Sequence, residues 1–135
     1  MLSPALLALA LTAAPDAGTP APKFEFETYQ LVLLMRAPTW RKLPDAEAQA
    51  LQAEHIAHLE KMGKAGKAML CGPFGDQQDV TWRGACLYKV GSAAEARALA
   101  EEDPTVKKGQ LRIDVVTWYV GKGYVAFPLA PDAGR

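Results

Sequence analysis

The chain has 135 residues, half of them hydrophobic, with 15 Lys+Arg balanced by 15 Asp+Glu. That length and apolar share suit one domain with a single core and argue against disorder. Zero net charge removes the electrostatic case for binding nucleic acid, and two cysteines are too few for a disulfide scaffold or a structural zinc site.

The first 22 residues stand apart from the rest. Ala5 to Leu11 is continuously apolar, small residues follow at Thr12, Ala13 and Ala14, and a Pro/Gly-rich spacer runs to Pro22. This is the order of a secretory signal peptide and linker, and the run is too short for a retained transmembrane helix. No Lys or Arg precedes Lys23, so the amino group of Met1 alone supplies positive charge. The competing reading is an unstructured extension on a cytoplasmic protein. The expectation is a periplasmic or secreted protein with no integral membrane segment in its mature form, a domain over residues 23–120 and a tail over 121–135.

Thr28 to Arg36 is rich in Leu and Val and predicts a well-buried strand. A loop bracketed by Pro38 and Pro44 carries Trp40. Asp45 is the expected N-cap of a helix reaching about Met62, with Gly63 and Gly66 as its stop. Ala68 to Cys71 predicts a second strand, ended by Gly72 and Pro73, and Thr81 to Val90 a third. Ser92 and Glu95 have capping-box spacing before a helix to about Glu102, closed by Asp103 and Pro104. Leu111 to Val120 predicts the last strand.

The order is therefore βαββαβ. Each helix joins strands that are not hairpin neighbours, which puts both helices on one face of a four-stranded antiparallel sheet. The first and last strands carry apolar residues at both parities (Leu31, Val32, Leu33 and Leu34; Val115 and Val116). The uncovered face is then apolar, and the expected cover is a second copy, giving a homodimer through the open sheet face. The alternative cover is the tail, with Tyr124, Val125, Phe127 and Leu129.

On a helical wheel of the first helix, His55 falls on the stripe of Ala48, Leu51, Leu59 and Met62, with His58 nearer its edge. An imidazole on a core-facing stripe needs a partner, because an unmatched buried polar group costs about 1–3 kcal/mol. As a bare pattern it is more often a satisfied core group than a catalyst. His55 and His58, three residues apart, could share a metal with Glu54 nearby, but no further spaced ligand completes the site, so no metal is expected; no other cofactor is expected either.

Several matches together say more. The run from His55 through Gly63, Lys64, Gly66 and Lys67 to Gly72 and Pro73, and the run from Ser92 to Asp103 and Pro104 followed by Val106 and Gly109, resemble the YCII-related (YciI-like) family. The likeness extends over Tyr29 to Trp118. It implies a ferredoxin-like α+β domain that dimerises into an α+β barrel, with a pocket between sheet and helices. It also implies that His55 and Asp103 match the histidine–aspartate pair of the family's active site. One relative is a dehydrochlorinase acting on a chlorinated hydroxyquinol.

The function expected from that pair is cofactor-independent proton transfer on a small aromatic or enol-type substrate, with His55 as acid or base and Asp103 orienting it. The alternative is a noncatalytic dimer that binds a small molecule or a partner. Gly72, Pro73 and Phe74 are candidates for the pocket mouth, and Arg36, with Arg83, for holding an anionic substrate. Cys71 and Cys86 lie on the predicted hairpin, where a turn centred on Gln78–Asp79 would pair them; a disulfide is open to them, and two reduced core thiols are the simpler reading.

Overall fold

A computed structural model describes residues 23–125. The expected signal segment and spacer (1–22), and the tail beyond Val125, lie outside the described residues. The elements are β1 (Phe26–Arg36), α1 (Asp45–Lys64), β2 (Ala68–Pro73), β3 (Trp82–Tyr88), α2 (Ala93–Glu101), α3 (Pro104–Lys107) and β4 (Leu111–Gly121). They form a ferredoxin-like α+β arrangement whose sheet runs β2-β3-β1-β4, antiparallel throughout. Among the described residues, no helix is long and apolar enough to cross a membrane.

Register decides which residues meet the helices. Val32 and Leu34 of β1 oppose Cys86 and Gly84 of β3 and Val115 and Ile113 of β4, so one parity of each strand shares a face. That face carries the core: Val32, Leu34, Cys86 and Tyr88 pack with Met62 of α1 and Ala96 and Ala100 of α2. The opposite parity leaves Leu70, Val116 and Trp118 exposed on the other face.

Two helix boundaries differ from expectation. Pro44, not Asp45, is the N-cap of α1, with no side-chain cap; Asp45 is the first helical residue, where its carboxylate suits the positive helix end. Asp103 does more than close α2. Its carboxylate caps a further turn, α3, with Pro104 at the N-terminal position that tolerates a missing N–H. The α2 cap agrees with its pattern, since Glu95 N–H donates to Ser92 Oγ at 3.1 Å. The Glu95 carboxylate, however, reaches Gly91 N rather than that of Ser92.

Cys71 and Cys86 are directly opposed in the β2–β3 ladder, with Cα atoms 4.1 Å apart, and form a disulfide. The bonded state thus replaces the simpler reading of two reduced thiols. The bond ties the edge strand β2 to the sheet beneath α1.

Candidate functional site

α1 carries His55 one turn beyond the buried Leu51, and the α2–α3 junction carries Asp103. The two meet: His55 Nδ1 lies 2.6 Å from Asp103 Oδ2, although 48 residues separate them in sequence. The capping geometry of α3 explains the aim of the carboxylate. Its Oδ1 accepts from Thr105 N–H at 2.9 Å and Thr105 Oγ1 at 2.7 Å, leaving Oδ2 for the imidazole. The Asp103 side chain is 2% exposed and that of His55 12%.

Burial alone pushes the Asp103 carboxyl up. The contact with His55 and the two Thr105 donors outweigh it and hold the group below the ordinary carboxylate range. An ionised Asp103 accepts only, so neutral His55 must place its proton on Nδ1 and keep the lone pair on Nε2. Nε2 has no hydrogen-bond partner among the described residues, and the ring lines a cavity.

His58 stands one turn further on and is differently placed. Its Nε2 is buried without a hydrogen-bond partner. Burial pushes its proton affinity below the usual imidazole range, helped by His55 and Lys61 and opposed by Asp103 and Glu102. Tyr88 is pushed up to about 12, first by burial and then by the charge of Asp103. No three His, Cys, Asp or Glu side chains among the described residues converge as a metal site.

The cavity measures about 760 Å³ and lies between α1 and the β2–β3 end of the sheet, with the loop before α1 along one side. Its walls are largely apolar, with Leu34, Trp40, Leu51, Ile56, Leu59 and Leu111 among them. Gly72 and Gly84, which lack side chains, and Pro73 lie opposite. Gly84 has no space for a side chain, since a Cβ there would fall 2.6 Å from Gly72 O. The loop is tethered by Thr39 Oγ1, which donates to Gly109 O at 2.6 Å.

Of the expected site residues, His55, Gly72 and Pro73 line this cavity, and Asp103 sits behind His55. Phe74 is not among the lining residues; its ring packs near Trp82, with centroids 6.1 Å apart. Arg36 is not in the lining either, because its guanidinium stacks over Trp40, 4.1 Å from the ring centre. Arg83 does border the cavity. Gln52 and Gln110 are polar lining residues that sequence reasoning missed. Gln52 was detectable, being three residues before His55 on the same helical face; Gln110, in a connection, gave no periodic signal.

Residues 31–119 match the YCII-related domain, more than half of the chain. The chain belongs to the YCII-related family. No curated protein matches the sequence significantly. Among solved structures, this YCII-related chain is similar to 5-chloro-2-hydroxyhydroquinone dehydrochlorinase from Burkholderia phenoliruptrix AC1100, in complex with 2,5-dihydroxybenzoquinone. Identity is 25%, the TM-score is 0.50, and the alignment covers 70% of this chain and 96% of the other.

Proposed function

We propose that this YCII-related protein is a cofactor-independent enzyme that moves a proton on a small aromatic or enol-type substrate, a lyase or isomerase step. The observation that carries it is the 2.6 Å contact between His55 Nδ1 and a buried, ionised Asp103, beside a cavity of about 760 Å³. Nε2 takes a proton from an acidic O–H or C–H of the bound substrate. The imidazolium so formed is stabilised by Asp103 and returns the proton to another atom of the substrate or to a departing group. Asp103 is a positioning residue, since its carboxylate hydrogen-bonds His55 and Thr105 and does not line the cavity.

The similar dehydrochlorinase suggests where to start. The full chain is incubated with a panel of hydroxyquinols that includes 5-chloro-2-hydroxyhydroquinone, with turnover followed by absorbance. Turnover that falls by about 10²–10⁴-fold in His55→Gln supports the reading. Binding with turnover unchanged by that substitution contradicts it and favours a binding protein.

We infer further that the functional unit is a homodimer joined through the open sheet face. Leu70, Val116 and Trp118 are 58%, 47% and 51% exposed there, which is costly for an isolated subunit. Light scattering on wild type and Val116→Glu tests this: a dimer that becomes a monomer supports it, and a wild-type monomer refutes it. Export is the reading best supported by the apolar run Ala5 to Leu11 together with the Cys71–Cys86 disulfide, a bond of oxidising compartments. Mass spectrometry of the mature N-terminus from cell fractions decides it.

A further inference from the structure

The cavity has a charged border that the proton transfer does not use, and its sign is uneven. Arg41, Lys42 and Arg83 line it against one carboxylate, Asp45. Arg41 has a loose partner, Glu47 at 3.6 Å, whereas Lys42 and Arg83 make no ion pair with any described residue. The first turn of α1 borders the same space through Asp45 and Ala48, and no side chain caps it. Its unpaired N–H groups add partial positive charge.

Arg83 owes its place to a break in the ladder. Leu34 pairs with Gly84, and the next residue, Met35, pairs with Trp82, so Arg83 is an extra residue in β3. Strict alternation from Ala85 and Leu87 would put it on the sheet face away from the helices. With this irregularity in the ladder, Arg83 borders the cavity, and bulges recur beside binding sites. Phe74 N–H holds the bulge by donating to Arg83 O at 2.9 Å.

We propose that the substrate carries a full negative charge, a carboxylate or an ionised hydroxyl on a small flat ring, and that Arg83 receives that charge. The inference rests on the proton-transfer reading only in taking this cavity as the substrate site. Apolar walls accept the body of such a molecule, and a planar guanidinium with no competing carboxylate pairs with its anionic end. A neutral analogue fills the same walls but leaves Arg83 to water.

Calorimetric titration of the full chain tests this with three probes. Hydroquinone is uncharged, 2,5-dihydroxybenzoate adds a carboxylate, and 2,5-dihydroxybenzoquinone is a vinylogous acid whose charge lies on its ring oxygens. Wild type is expected to bind at least one anion about tenfold or more tightly than hydroquinone. Arg83→Gln should abolish that preference without changing hydroquinone affinity, and Arg83→Lys should retain part of it. The anion that gains most identifies the group received. Equal affinity for all three probes, no binding of any, or a preference that survives Arg83→Gln overturns the proposal. His55→Gln separates the two readings. If it retains the anion preference while wild type shows no turnover dependent on His55, the charge assignment stands alone. If it loses turnover while Arg83→Gln changes nothing, the proton-transfer reading stands alone.

Discussion

α1 and α2 cover the same sheet face and do so in opposite ways. α2 sets Ala96 and Ala100, 0% and 3% exposed, against the sheet, and the two layers close. α1 presents Leu51, His55 and Leu59 where the sheet offers Gly72, Pro73 and Gly84, and there the layers stand apart around the cavity. Alanines on the helix let the backbones approach, which favours packing. Larger side chains on α1 stand off from the sheet at Gly72, Pro73 and Gly84, and the imidazole of the imidazole–carboxylate pair faces the space between. One end of the layer is built for stability and the other gives up contact for access.

The contrast can be broken from either end. The largest effect is expected at the open end, where His55→Gln should cost about 10²–10⁴-fold in turnover. At the closed end, Ala100→Leu should destabilise the fold by about 1–3 kcal/mol in urea titrations, because no space receives the added carbons. Gly84→Ala should cost a similar amount, about 1–3 kcal/mol, since its Cβ meets Gly72 O and moves β2. Ala48→Leu sharpens the comparison. Ala48 borders the cavity and is exposed, so stability should stay within about 0.5 kcal/mol while ligand binding is lost. A full stability loss at Ala48 equal to that at Ala100 would mean that the two ends are packed alike.

The smallest effects lie in the acid limb of stability, and the two groups act in separate windows. Asp103 has a lowered folded value, so its contribution is full above the ordinary carboxylate value of about 3.9 and is lost as pH falls below that. His58 also has a lowered folded value, because burial keeps it neutral. Its contribution is full above about 6.5 and declines as pH falls through its folded value. Melting temperatures from pH 8 to 3 should therefore drop in two stages for wild type. His58→Gln should flatten the upper stage and Asp103→Asn the lower one. Unchanged curves in both variants would contradict the assigned burial of these groups.

Much of the architecture was legible because local signals agreed with one another. The Ser92–Glu95 spacing located the start of α2, and the apolar stripe on α1 put His55 toward the core. The turn expected at Gln78–Asp79 allowed, without requiring, the register that sets Cys71 opposite Cys86. Partnership across the interior was not legible from spacing. Asp103 before Pro104 reads as a stop, and only the fold shows the same carboxylate capping α3 and holding His55. Arg36 and Arg83 look alike in sequence. Strand alternation gives no warning of the bulge at Arg83, a residue that borders the cavity, nor of the Trp40 ring that occupies Arg36. Pro44 displaced Asp45 as the α1 cap because the helix can begin one residue after a proline whose backbone is already extended.

The central claim is that Asp103 fixes the proton of neutral His55 on Nδ1 and leaves Nε2 as the working nitrogen. Nitrogen-15 imidazole spectra of the full chain, recorded where the ring is neutral, read this directly and need no substrate. The account predicts the Nδ1–H tautomer in wild type and loss of that preference in Asp103→Ala. A wild-type ring protonated on Nε2, or a tautomer indifferent to Asp103, would contradict it.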